Sequence, residues 1–215
     1  DPAVRVVVLG GRGEHFSAGH DIGEAVQRPD VVEDRWRYEQ KYYYDFSLRV
    51  WDFPKPTIAQ VQGACIAGGF ILANMCDLLV ASEDAYFADP VCHRFAAVAT
   101  EVLVHPWVMG LRAAKLFLFT GEKLSAAEAL RMGLANRVVP RAALEVSTLE
   151  LARRIAAAPP FALQLTKRSL NRGADCQGFR NALHAHFDTH QLAHNSAEFR
   201  AQVAAAGGNK TEKKT

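Results

Sequence analysis

Two short apolar runs constrain this chain most: "VRVVVL" at residues 4–9 and "LLVAS" at 78–82. Strands with so little polar alternation read as buried on both faces, and such strands belong to parallel sheets covered by helices on either side. Gly10, Gly11 and Gly13 close the first run. "VVEDRWRYEQKYYYDFSLRVWDF" then carries Val32, Trp36, Tyr43, Phe46 and Val50 at roughly helical spacing, until the prolines of "FPKP" forbid its continuation. "TIAQVQG" reads as a short strand, "FILANMC" as an apolar helix ending before Asp77, and "AYFADP" as a further short strand. From about residue 100 the pattern is helical. Ser125 and Glu128 in "SAAEAL" form a capping box, "RVVP" is briefly extended, and three helices run through "RAALEVSTLELARRIAA", "PFALQLTKRSLN" and "GFRNALHAHFDTHQLAH". Strand–loop–helix units followed by helices predict an α/β fold with a helical C-terminal part.

The 215 residues fit one large domain or a domain with a helical appendage, and a 49% hydrophobic content supplies a substantial core. A net charge of +2 gives no concentrated basic face and argues against nucleic acid. Cys65, Cys76, Cys92 and Cys176 lack paired C-x-x-C spacing, which points to a reducing, cytoplasmic compartment. No apolar run reaches the roughly 18 residues that span a bilayer, so no membrane partner is expected. No signal peptide is evident. A strand so close to Asp1 suggests that earlier sequence is missing, and "AAAGGNKTEKKT" reads as a frayed tail.

Two glycine loops carry the chemical signal. In "GACIAGGFILANMCD", Gly68 and Gly69 open an apolar helix whose first-turn N–H groups lack intrahelical acceptors and favour a negatively charged oxygen. Glycine admits a close ligand there, or it permits tight strand–helix packing. The sequence leaves both open. The earlier loop, "GGRGEHFSAG", lacks the G-K-[ST] of a phosphate loop, and Ser17 does not stand in G-x-S-x-G.

In order and spacing, "VRVVVLGGRGEHFSAGHDI", "PKPTIAQVQGACIAGGFILANMCDLLVAS" and "AYFADP" resemble the crotonase (enoyl-CoA hydratase/isomerase) superfamily, as does "LFTGEKLSAAEALRMGLANRVVP". The resemblance implies a right-handed ββα spiral over residues 1–140, a helical trimerisation region over 141–205 and a disordered tail over 206–215, with the family's N-terminal strands absent. It implies an acyl-CoA thioester substrate and a homotrimer or homohexamer, with CoA entering as part of the substrate and no separate cofactor. By position, the backbone N–H groups of His20 and Gly68 become the donors to an enolate-like oxyanion, and Ala18, Asp21 and Ile22 line the CoA groove. Such a donor contributes about 3 kcal/mol to transition-state stabilisation.

The family's hydratases use two glutamates, and their positions are held here by Ile71 and Val91. Neither side chain transfers protons, so water addition by the usual route is not expected. Nearby polar groups are Asp89, His93, Glu101 and His105. Glu101 is the main acid–base candidate, because it stands in the apolar "AAVATEVLV", where burial would raise its pKa. The alternative is a solvent-facing Glu101, or one paired with Arg94 or Arg112. Asp89 is a second candidate that reads equally as a turn residue before proline, while His93 and His105 read as packing or surface residues. His186, His190 and His194 recur every four residues on one helical face. Zinc can use that spacing, but the simpler expectation is the polar face of an exposed or interface helix, with no metal.

The sequence thus points to an acyl-CoA enzyme, with isomerase-type proton shuttling favoured over standard hydration. A non-catalytic acyl-CoA-binding protein on the same scaffold is the alternative.

Overall fold

In the computed structural model, which describes residues 1–21, 29 and 31–211, short strands and helices alternate along most of the chain. The chain opens with β1 (Val7–Gly10) and continues through α1 (Val32–Glu39), a π-helical turn at Gln40–Tyr44 and α2 (Asp45–Trp51). Two ββα units follow. The first is β2 (Thr57–Val61), β3 (Ala64–Ile66) and α3 (Gly68–Asn74). The second is β4 (Leu78–Ser82), β5 (Tyr86–Ala88) and α4 (Val91–Phe95). After α5 (His105–Met109) and α6 (Leu111–Thr120), the short β6 (Leu124–Ser125) leads through α7 (Ala126–Arg131) into β7 (Arg137–Val139). The last helices are α8 (Leu144–Ala156), α9 (Pro160–Cys176), α10 (Phe179–Ala193) and α11 (Ala197–Thr211). The capping box at Ser125 and Glu128 is formed in full.

The first strand of each unit enters a parallel sheet of order β1-β2-β4-β7, and the second enters another sheet of order β3-β5-β6. Within that second sheet β3 and β5 are parallel and β6 is antiparallel. Successive units stack in register, Ile58 opposite Leu78 and Ala64 opposite Tyr86, which is the expected ββα spiral. Alternation along the strands divides the core in two. Ile58 and Val80 point outward against Leu144 of α8, while Ala59, Val61, Leu79 and Ala81 point into the main core with Phe70 of α3. That outward layer is why β2 and β4 are apolar on both faces.

β1 departs from expectation. It sits at the edge of the four-stranded sheet and is only half-buried, because it pairs with β2 alone. The C-terminal helices also belong to this same core: α8 covers the sheet, and Phe179, Leu183 and Phe187 of α10 join the main cluster. Helix α11 continues to Thr211, through part of the stretch read as a frayed tail, consistent with the helix propensity of its alanine run. Among the described residues no helix is long and apolar enough to cross a membrane. Cys65 and Cys76 are buried, as expected of small hydrophobes, and Cys92 and Cys176 are exposed.

A polar clamp fixes α9 against the sheet. The Asp77 carboxylate accepts from the Thr57 N–H at 2.7 Å and from its hydroxyl at 3.0 Å, and Lys167 Nζ of α9 reaches the same oxygen at 2.8 Å. Lys167, mostly buried, also donates to the Lys55 carbonyl at 3.2 Å. Removing the carboxylate strands a buried ammonium and two donors. Asp77→Ala is therefore expected to lower unfolding free energy by about 2–3 kcal/mol in denaturant titration, whereas a loss below about 0.5 kcal/mol would contradict the clamp.

Candidate active site

The loop after β1 runs backbone to backbone along β3. The Phe16 N–H donates to the Gln62 carbonyl at 2.8 Å, the Ser17 N–H to that of Ala64 at 3.0 Å, and the Ile66 N–H to that of Ser17 at 3.0 Å. Two glycines permit the approach. A Cβ on Gly69 would stand 2.7 Å from Ser17 Cβ, and one on Gly68 would stand 2.7 Å from His20 Nε2. Gly69 thus serves packing, while Gly68 makes room for an imidazole. Between strand and helix, Ala67 adopts φ 49° and ψ −113°, a conformation that costs a non-glycine residue about 1–3 kcal/mol. Its N–H is held by the Ala88 carbonyl at 2.9 Å.

His20 is gripped on two further sides. Its ring stacks on Tyr43 at a centroid distance of 4.0 Å and 12° between planes. Its Nδ1 lies 3.3 Å from Glu101 Oε1. The two side chains differ in access: that of His20 is 26% exposed and that of Glu101 only 6%. Burial raises the Glu101 pKa, partly offset by the charges of His20 and His190. The sequence alternatives for Glu101, solvent or an arginine, give way to a buried position against His20.

Asp89 is wholly buried and spends both oxygens inside the protein. Oδ1 accepts from the Val91 N–H at 3.3 Å, Oδ2 accepts from the Thr100 hydroxyl at 3.3 Å, and His105 Nε2 lies 3.2 Å from Oδ2. His105, also fully buried, stacks on Phe70 at 4.6 Å. This makes Asp89 a tie between the end of β5, the start of α4 and α5, a larger structural part than a turn residue plays. His93 is partnered near the surface, its Nε2 2.8 Å from the Phe119 carbonyl. Ala18 and Asp21 are exposed on either side of His20, while Ile22 lies outside the described residues. Ile71 is buried in the core and Val91 begins α4.

The histidine stripe of α10 corrects its expectation. His186 and His190 are buried against residues 98–101 and do not form an exposed polar face. His186 Nε2 lies 2.7 Å from the Thr100 carbonyl, and His190 Nδ1 lies 3.2 Å from that of Val98. Burial lowers the His186 pKa to about 4. Burial also lowers that of His190, but the carboxylates of Glu39 and Glu101 more than reverse this. Sequence reasoning missed Glu39, the last residue of α1, and Tyr43, which stands in the π-helical turn that follows. A widened turn leaves no signature in apolar spacing.

A cavity of about 320 Å³ lies elsewhere, lined by Asp52, Lys167, Arg168 and Arg180 among others, and shares no residue with the His20–Glu101 pair.

Comparison with known proteins agrees with this architecture. The sequence profile described as enoyl-CoA hydratase/isomerase matches residues 1–212. A Mycobacterium tuberculosis protein named "Putative enoyl-CoA hydratase EchA13" is 42% identical over 213 residues, spanning 90% of this chain and 67% of the relative. The crystal structure of a probable enoyl-CoA hydratase from Mycobacterium smegmatis is 46% identical with a TM-score of 0.84, over 90% of this chain and 78% of that one. A monofunctional enoyl-CoA isomerase from the same organism is 32% identical with a TM-score of 0.63, over 81% of this chain and 74% of the other.

The stack of His20 on Tyr43 gives the site a spectroscopic handle. Ring current from Tyr43 should move the His20 ring protons upfield in the NMR spectrum. Gly68→Ala, whose Cβ would collide with the imidazole, is expected to return them toward free-histidine positions. Unchanged shifts in this variant would contradict the arrangement.

Proposed function

The chain belongs to the enoyl-CoA hydratase/isomerase family, and on that premise we propose that it moves a proton within an unsaturated acyl-CoA thioester. The observation that carries this reading is the buried Glu101 carboxylate against the half-open His20 imidazole, with that ring lying over Gly68.

In the proposed reaction, a base removes a proton from the α-carbon of a 3-enoyl-CoA. The electron pair delocalises onto the thioester oxygen and the γ-carbon. The base, whose proton exchanges with solvent, then delivers one proton to the γ-carbon, giving the conjugated 2-enoyl-CoA with atoms and charge balanced. The developing oxyanion is assigned to the backbone N–H groups of His20 and Gly68. Relative exposure divides the work of the pair. His20 is the group that substrate can reach, and Glu101 behind it orients the ring and stabilises its charged form. Ala18, Asp21 and Ile22 would lie along the CoA moiety. Support for proton shuttling over water addition comes from Ile71 and Val91, which offer no group to activate water, and from the likeness to a named isomerase.

The test follows 3-enoyl-CoA conversion by the rise of conjugated-thioester absorbance. Glu101→Gln and His20→Gln are each expected to lower kcat/KM by about 10²–10⁴-fold, with the double variant little worse than either single one. His20→Gln keeps the backbone N–H, so its loss reports the imidazole. Full activity in His20→Gln would move proton transfer to Glu101 alone. Tight CoA-ester binding without turnover in the wild type would replace the enzyme reading by that of an acyl-CoA-binding protein.

The pH profile supplies a separate check. Proton abstraction needs Glu101 ionised, so the rate should fall as pH drops through the Glu101 pKa. Burial raises that pKa; His20 and His190 lower it, and Glu39 adds to the rise. The acid limb of kcat/KM is therefore expected above the ordinary glutamate range and should move in Glu101→Gln. A limb at the ordinary glutamate position would contradict the buried placement.

A further inference from the structure

Behind the His20–Glu101 pair, Glu39 at the end of α1 meets His190 and His194 at the end of α10. We infer that Glu39, His190 and His194 form a binding site for a divalent transition metal of the zinc type. Their ligand atoms, one carboxylate oxygen and two imidazole nitrogens, lie within 4.8 Å of one another. Glu39 Oε2 stands 3.5 Å from His190 Nε2 and 3.7 Å from His194 Nδ1. Around a tetrahedral ion with ligands at about 2.0–2.2 Å, neighbouring donor atoms sit about 3.3–3.6 Å apart, so two edges of such a polyhedron are nearly in place.

The second nitrogen of His190 fixes the argument. Its Nδ1 faces the Val98 carbonyl at 3.2 Å, and a carbonyl only accepts, so the proton belongs on Nδ1. In the neutral ring, Nε2 then presents a lone pair to the Glu39 carboxylate. That Nε2 is buried and makes no hydrogen bond among the described residues. Two electron-rich atoms facing each other inside a protein call for a cation between or upon them, and a carbonyl bond on the far nitrogen is the usual support of a metal-bound histidine. Glu39 is braced as well, since the Gln191 amide donates to its Oε2 at 2.6 Å. The set supplies three protein ligands, two imidazoles and a carboxylate, leaving a fourth position for water. Access is from the His194 side, whose side chain is 10% exposed against 4% for each of the other two.

Metal here would join α1 to α10. Through the Val98 carbonyl it would also brace residues 98–101, and hence Glu101. The competing arrangement is a proton on His190 Nε2, giving an imidazolium–carboxylate pair with no affinity for metal.

Chelator-treated protein titrated with Co²⁺, read by visible absorption, and with Zn²⁺, read by calorimetry, separates the two. The expected result is about one metal per chain with Kd at or below the micromolar range, a four-coordinate Co²⁺ spectrum displaced by Zn²⁺, and a thermal midpoint that rises with Zn²⁺. His194→Ala, at the partly exposed edge where folding is least at risk, should weaken binding at least about 100-fold, as should Glu39→Gln, while His93→Ala should leave it intact. Absence of Zn²⁺ and Co²⁺ binding up to about 1 mM would overturn the site in favour of the ion pair. Binding that persists undiminished in His194→Ala would overturn it in favour of adventitious surface coordination.

Discussion

The site rests on the close approach of two backbones, residues 16–20 and the segment of β3 that leads into α3. Three hydrogen bonds, joining Phe16 and Ser17 with Gln62, Ala64 and Ile66, hold them, and a side chain at position 69 would meet Ser17. Because they touch, the His20 ring lies over the first residue of α3. The strained Ala67 belongs to this geometry: a relaxed residue there would aim the start of α3 elsewhere. The ββα spiral supplies the rigid support, since its strands fix both loops at neighbouring ends of the two sheets.

A second layer of buried polar contacts holds this arrangement from behind. Asp89, Thr100 and His105 tie β5 to the segment that carries Glu101, and His186 and His190 grip the carbonyls of that same segment. Such groups cost desolvation unless their partners are well placed, so they fix one backbone path and penalise others. Ala96 and Ala99 adopt left-handed conformations along this path, at φ 51° and 45°. The strain is small against the contacts that impose it. The result is a carboxylate held in a low-dielectric position beside an imidazole that solvent reaches.

Much of the fold was legible because burial writes directly into sequence. β2 and β4 are apolar on both faces since α8 covers one and α3 the other, and the capping box announces α7. β1 shows the limit of that logic: an apolar run cannot say whether its strand is central or at an edge. Glu101 was visible as a lone carboxylate in an apolar stretch, but its partner was not, because His20 is 81 positions away in the chain. Tyr43 stands in a π-helical turn, and the burial of His186 and His190 depends on which face of α10 meets residues 98–101. Both are settled by packing between distant segments, to which helical spacing is blind.

The central claim is that the His20–Glu101 pair exchanges a proton with the α-carbon of a thioester. Hydrogen exchange tests this without presuming the product. A 3-enoyl-CoA incubated with the protein in D₂O and recovered for mass spectrometry should gain deuterium at the α- or γ-carbon in the wild type. It should gain none above background in Glu101→Gln. Bound thioester recovered without deuterium from the wild type would contradict the account.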